Sequence, residues 1–218
     1  MSRWFQRWEQ MLAITVAILC VSLTQAMAQP VKIVALGDSL SAGYGLGPAD
    51  AFPVKLEKAL RAKGLDVEIA NAGVSGDTAS DGLSRVDWSV PDGTDAVILE
   101  LGANDALRAI DPKVTRAALD QTIRRLKARN ITVLLAGMQA PRNLGPDYVN
   151  AFDSIFPDLA KEHGVLFYPF FLDGVATIRS LNQKDGMHPT AEGIDMIVKG
   201  IQPKVEELVA KVRAGRVG

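Results

Sequence analysis

Ser39, Asp185 and His188 are the residues of this chain best suited to do chemistry together. A serine hydroxyl is a weak nucleophile. It needs a base within hydrogen-bond reach and a carboxylate to hold that base in the useful tautomer. Ser39 follows a short apolar run, Val31-Lys32-Ile33-Val34-Ala35-Leu36, and sits in the turn Gly37-Asp38-Ser39-Leu40. The run has strand length and is rich in β-branched residues, so Ser39 is expected at the carboxyl end of a first strand, the edge where open α/β sheets bind ligands. His188 lies in Asp185-Gly186-Met187-His188-Pro189, with Asp185 three residues before it. That spacing lets a carboxylate meet one ring nitrogen while the other faces a substrate. A capping turn ahead of Pro189 would account for the same pair. His163, beside Gly164 at a helix end, is expected to complement the helix dipole on the surface.

A tetrahedral intermediate needs donors for its oxyanion. The backbone amides of Ser39 and Gly73 and the side-chain amide of Asn104 are the candidates, all in loops that follow strands. Turn glycines and an Asx turn would explain Gly73 and Asn104 individually. Their coincidence in separate loops on one edge favours the catalytic reading. Asp38 and Asp105 are assigned to loop hydrogen bonding, and Asp77 with Thr78 to capping a short helix. Leu40, Met138, Pro141, Asn143 and Leu144 are the candidate substrate-binding residues.

The elements that must position these groups alternate along the chain. Strands are expected at 31–36, 67–70, 96–101, 131–136 and 165–168. Helices are expected at 52–63, 78–86, 112–130 and 147–163, with a kink or break at Pro157 in the last of these. A final helix from about Thr190 towards Arg213 should be interrupted or kinked at Pro203. Alternation of this kind predicts an α/β fold, a parallel sheet with helices on both faces and right-handed crossovers.

The amino terminus reads differently. Arg3 and Arg7 precede an uncharged apolar run from Met11 to Leu23, and Ala26-Met27-Ala28 is a small-x-small cleavage signal. This is the pattern of a signal peptide, residues 1–28. The alternative is a retained anchor, for which the run is short, since a bilayer span takes about 20 apolar residues. Cys20, preceded by the large Leu19, is an ordinary apolar residue of the leader. Removing 28 of 218 residues leaves one domain, 29–218. It is expected in the periplasm or outside the cell, with no stable membrane span. Losing Arg3, Arg7 and Glu9 takes 24 basic and 25 acidic residues to 22 and 24, a net charge of −2. With no basic stripe, nucleic acid is not an expected partner. The domain has no cysteine, which excludes a disulfide and a thiolate nucleophile. Two histidines exclude a histidine-rich metal site, and no metal or organic cofactor is expected.

Four stretches together resemble the blocks of the SGNH hydrolases, also called the GDSL esterase/lipase family. They are Gly37-Asp38-Ser39-Leu40, Gly73 within Asn71-Ala72-Gly73-Val74-Ser75-Gly76-Asp77-Thr78, Gly102-Ala103-Asn104-Asp105 and Asp185-Gly186-Met187-His188. The chain is most similar to the bacterial periplasmic thioesterase I/arylesterase/lysophospholipase branch, whose substrate-side loop resembles 137–145. The resemblance implies a flavodoxin-like three-layer α/β/α sandwich with a five-stranded parallel sheet, and a monomer. It implies Ser39 as nucleophile, His188 as base and acid, Asp185 as its orienter, and Ser39, Gly73 and Asn104 as the oxyanion hole. The expected activity is hydrolysis of small-molecule esters or thioesters. A carbohydrate O-deacetylase on the same fold is the first alternative, and a non-catalytic exported binding module the second. Trp88 is the one tryptophan after the leader, and this poverty in aromatics favours lipid-like or aryl esters over sugars.

Overall fold

The computed structural model describes residues 29–217; the leader assignment at 1–28 lies outside them. The domain runs from Val31 onward. Its five strands are β1 (Val31–Gly37), β2 (Val67–Gly73), β3 (Ala96–Glu100), β4 (Thr132–Ala136) and β5 (Leu166–Tyr168). All pair in parallel in the order β2-β1-β3-β4-β5. This is the flavodoxin-like order, whose switch point lies between β1 and β3. The expected three-layer sandwich is therefore observed.

The β3 run Ala-Val-Ile-Leu-Glu is buried throughout. Its continuous apolar character follows from its place in the middle of the sheet, with a helical layer on either face. β2 is longer than its apolar run. Asn71, Ala72 and Gly73, read from sequence as loop, continue the ladder to the pair Gly37–Gly73. Edge position explains this, because an edge strand can carry exposed polar residues and still pair on one side.

The helices are α1 (Ser39–Ala42), α2 (Phe52–Ala62), α3 (Ala79–Ser89), α4 (Ala103–Leu107), α5 (Pro112–Ala128), α6 (Pro146–Asp153), α7 (Ile155–His163) and α8 (Ala191–Val217). α2 and α8 pack together on one face of the sheet, and α3, α5 and α7 on the other. Asp111 caps α5 by accepting from the Lys113 amide, with Pro112 at the first helical position. Thr78 caps α3 in a reciprocal capping box with Asp81. Asp77 does not cap; it pairs with Arg85 instead.

The break falls away from Pro157, and no interruption occurs at Pro203. The 147–163 stretch does divide, but at Ser154. Pro157 falls in the first turn of α7, where its missing N–H has no intrahelical acceptor to lose. α8 passes through Pro203 without interruption. Pro203 and Lys199, whose carbonyl loses its donor, both face solvent, so water can satisfy that group. His163 is also not a surface dipole partner. Its side chain is only 7% exposed, and Nε2 meets Asp120 Oδ1 at 2.6 Å.

Arg85 of α3 holds the functional edge together from below. Its guanidinium donates to the carbonyls of Gly37 (2.8 Å) and Ala72 (2.9 Å), and its Nε to Asp77 Oδ2 (2.6 Å). The ends of β1 and β2 and the loop after β2 are thus tied to one buried cation. Removing one member of a buried ion pair leaves the other desolvated and unpaired. Arg85→Met should therefore cost about 3 kcal/mol or more of unfolding free energy. Urea denaturation of wild type and variant measures it; an unchanged midpoint would show that the clamp contributes nothing.

Candidate active site

Ser39 is the first residue of α1, directly beyond β1. The turn is tight enough to require glycine at position 37. A Cβ there would lie 2.2 Å from Ser41 Oγ and 2.8 Å from the Glu100 carbonyl. Asp38 accepts the Leu40 amide at 2.9 Å and so caps α1. These contacts orient Ser39 at the sheet edge, where its side chain borders a cavity.

His188 arrives from the far end of the chain and completes a hydrogen-bonded line. Its Nε2 is 2.9 Å from Ser39 Oγ, and its Nδ1 is 2.7 Å from Asp185 Oδ2. A carboxylate only accepts, so Nδ1 carries the proton and Nε2 accepts from the hydroxyl. Ser39 Oγ lies farther, 3.5 Å, from Asp38 Oδ1. The Asp185 carboxylate also takes the backbone amides of His188 (3.0 Å) and Met187 (2.9 Å) through Oδ1. Those amides, with the His188 ring, pull its pKa down to about 2. The loop is braced behind by Gln183. Its amide N–H donates to the His188 carbonyl at 2.7 Å, and its side chain reaches the carbonyls of Tyr44 and Pro189. The ring of Tyr44 lies over that of His188, centroids 4.5 Å apart.

Asn104, the second residue of α4, sits beside this line. Its Nδ2 donates to Asp38 Oδ2 (3.1 Å) and to the Asp77 carbonyl (3.0 Å). Asp105 is buried and accepts the Ala79 amide and the Thr115 hydroxyl, the loop-bonding role expected of it.

Gly73 is where the residues depart from the expected site. Its amide is already committed to Asn71 Oδ1 at 2.9 Å. Its lack of a side chain has a packing cause: a Cβ would lie 2.3 Å from the Ala42 amide nitrogen. Gly73 therefore lets α1 sit against β2. Gly76, three residues on, has φ +90° and adjoins Asp77, whose carbonyl holds Asn104. Among the described residues, the Gly76 amide has no hydrogen-bond acceptor. The positive φ, not the glycine itself, is the signal, and it is invisible in sequence.

The cavity in front of Ser39 and His188 has a volume of about 570 Å³. Leu40, Met138 and Pro141 line it as expected, whereas Asn143 and Leu144 lie outside its walls. The chain turns at Arg142–Leu144 in a single 3-10 turn, which carries those two side chains away. Leu107, Phe170, Leu172 and Met187 were not anticipated as lining. They come from the end of α4, the segment after β5 and the loop before α8, whose convergence depends on the fold.

Glu100 closes the floor. It ends β3, is fully buried, and accepts Ser41 Oγ (2.7 Å) and the Asp38 amide (3.3 Å) through Oε2. Oε1 has no partner. Burial first, then the neighbouring Asp38 carboxylate, push its pKa well above the ordinary value. Burial also raises Asp38 to about 6, against lowering by the Leu40 amide and Asn104. Asp38 is the better solvated by donors, so Glu100 keeps the proton of the pair.

A parallel α/β/α sandwich with an aspartate–histidine–serine line at its carboxyl edge has the geometry of a serine hydrolase. The chain belongs to the GDSL-like lipase/acylhydrolase family, whose model matches residues 35–195. It is 37% identical over 195 residues to an arylesterase of Vibrio mimicus, covering 89% of this chain and 94% of that one. It is 36% identical over 193 residues to thioesterase 1/protease 1/lysophospholipase L1 of Escherichia coli K12, covering 86% and 91%. The crystal structure of AlinE4, an SGNH-hydrolase family esterase, superposes with a TM-score of 0.71 at 44% identity, covering 84% of this chain and 98% of that one.

A raised carboxyl pKa favours the folded state only while the group is protonated. Its contribution is complete below the unfolded value and is lost as pH rises through the folded one. Glu100→Gln keeps the shape and cannot ionise. The variant should therefore gain stability relative to wild type as pH rises above about 4.5. Thermal melts of both proteins from pH 4 to 9 test this; a difference independent of pH would mean that folding does not shift the Glu100 carboxyl from its unfolded value.

Proposed function

We propose that this chain hydrolyses carboxylic esters and acyl thioesters through a covalent acyl-enzyme on Ser39, with His188 as base and acid and Asp185 as its orienter. The observation that carries the reading is the continuous hydrogen-bonded line from Asp185 through His188 to Ser39 at the wall of a largely apolar cavity. In acylation, Ser39 Oγ bonds to the carbonyl carbon and its proton passes to His188 Nε2. The tetrahedral intermediate then expels the alcohol or thiol, which leaves with that proton. In deacylation, water gives its proton to His188 and attacks the acyl carbon. The acid is released as Ser39 recovers its hydrogen. Asp185, held ionised by its amide donors, stabilises the imidazolium at both stages.

The oxyanion donors in this reading are the Ser39 amide, the Asn104 side chain and the Gly76 amide, which takes the role first given to Gly73. Asn104 supplies its share by releasing or sharing its bond to Asp38 as negative charge grows on the substrate oxygen. Leu40, Met138 and Pro141 receive the acyl or aryl group. The same reading takes residues 1–28 as a leader removed on export, leaving domain 29–218 in the periplasm or outside the cell as a monomer. Among the described residues no helix is long and apolar enough to cross a membrane. N-terminal sequencing of the exported protein should begin at Gln29; recovery of Met1 would refute the cleavage.

Hydrolysis of p-nitrophenyl esters from acetyl to palmitoyl by residues 29–218 tests the reaction. Ser39→Ala should lose at least about 1,000-fold in kcat while remaining folded. Turnover confined to acetyl would favour a deacetylase, and no turnover by a folded protein would favour a binding module. Asn104→Ala should lose about 100- to 1,000-fold in kcat. Asp185→Asn should lose about 10,000-fold, because an amide donor at Nδ1 forces the wrong tautomer. Retention of wild-type kinetics by any of the three removes that residue from its role.

A further inference from the structure

A second cavity of about 580 Å³ opens beside the first, lined by Thr177, Arg179, Asn182, Gln183, Lys184 and Gly186. Thr177, Asn182 and Gly186 line both cavities, so the two share a wall. Their linings differ in character. The catalytic cavity is walled largely by apolar side chains, whereas the second presents two cations and no carboxylate.

Arg179 stands apart from the other arginines. Arg61, Arg85, Arg108, Arg116, Arg124, Arg125, Arg129, Arg142, Arg213 and Arg216 all hydrogen-bond to a carboxylate or a carbonyl. Among the described arginines, Arg179 alone has neither hydrogen bond nor ion pair, and Lys184 has none either. Asp185, the acid adjoining Lys184 in sequence, is committed to His188 and two backbone amides. The backbone that presents these cations is firmly held. Asn182, 8% exposed, donates to the carbonyls of Val175 (2.7 Å) and Ile178 (2.9 Å). Thr177 is locked at φ +67°, costly for a β-branched residue.

We propose that this second cavity receives a phosphate carried on the alcohol or thiol half of the substrate, with Arg179 and Lys184 as its ligands. The inference rests on the hydrolase reading above. In that reaction His188 must protonate the leaving group, so the leaving group lies against the 182–188 loop. The second cavity begins at Asn182 and Gly186 of that same loop. The acyl group then extends the other way, towards Met138 and Pro141. A planar guanidinium with free donors matches phosphate oxygens, and an ammonium beside it adds charge.

The test compares substrates sharing one acyl chain. Octanoyl-CoA is paired with S-octanoyl-N-acetylcysteamine, its thioester without phosphates. 1-Octanoyl-glycerol 3-phosphate is paired with 1-octanoylglycerol. In wild type the phosphorylated member of at least one pair should have the higher kcat/KM, mainly through KM. That preference should shrink as NaCl is raised from low to high concentration. Arg179→Gln/Lys184→Gln should lower the phosphorylated-to-neutral ratio about tenfold, and Arg179→Glu/Lys184→Glu should lower it further. A preference in the CoA pair alone assigns the site to a nucleotide-bearing thiol; in the glycerol pair alone, to a lysophospholipid-like alcohol. Equal ratios in wild type and both variants overturn the proposal. Failure of the hydrolase reading is distinct: neutral substrates would then show no Ser39-dependent turnover.

Discussion

The active edge depends on how closely the chain can be folded behind Ser39. Three segments converge there: the end of β1, the end of β2 with its following loop, and the start of α1. Each brings backbone carbonyls or amides that need partners where the three meet. Arg85 resolves this by donating to Gly37, Ala72 and Asp77 at once. Gly37 and Gly73 resolve the steric half, since a Cβ at either would overlap neighbouring atoms by more than van der Waals contact allows. Asn104 then docks on Asp38 and on the Asp77 carbonyl, and so depends on the same clamp. A serine whose neighbours are fixed in this way loses little entropy when it reacts, which is what preorganisation means physically.

Charge at this edge is arranged with the same economy. Two carboxyl groups, Asp38 and Glu100, sit under Ser39 with no cation bonded to either side chain among the described residues. Two adjacent buried anions would repel and would also oppose the negative charge that develops on a substrate oxygen. One proton kept on Glu100 removes most of that penalty. Asp38 can then ionise with the Leu40 amide and Asn104 as donors. Asp185 is the opposite case. It is accessible and rich in amide donors, so it stays ionised and can stabilise a positive imidazole.

Much of this was legible in sequence because it is carried by residue type and order. Ser39, Asn104, Asp185 and His188 each follow a strand or precede a helix at positions where loops must fall, and alternation of apolar runs sufficed for the sheet and its layers. What was not legible depends on backbone conformation or on distance along the chain. Gly73 and Gly76 look alike in a loop of turn formers. Only a committed amide at one and a positive φ at the other separate them. Glu100 lies within an apolar run, and nothing local reveals that it bonds the Asp38 amide. The clamp at Arg85 was out of reach because its acceptors include a carbonyl 48 positions away, which no local pattern reveals. Asn143 and Leu144 were misplaced for a simpler reason: a 3-10 turn rotates successive side chains by about 120°, and a loop reading has no phase.

The two cavities bear on which end of a substrate faces which wall. The proposed mechanism has an intrinsic direction, because in it the group that leaves must lie next to the proton on His188 Nε2. Apolar side chains at Met138, Pro141 and Leu172 offer nothing to a charged leaving group, and desolvating such a group against them would raise the barrier. The polar cavity past Thr177 and Asn182 has the opposite character: it presents a guanidinium without a protein partner among the described residues. Placing the acyl half on the apolar side and the polar half past the shared wall satisfies both surfaces. The reverse orientation satisfies neither. The strain at Thr177 is consistent with this division, since the residue separating the two environments is held in a conformation that its own side chain disfavours.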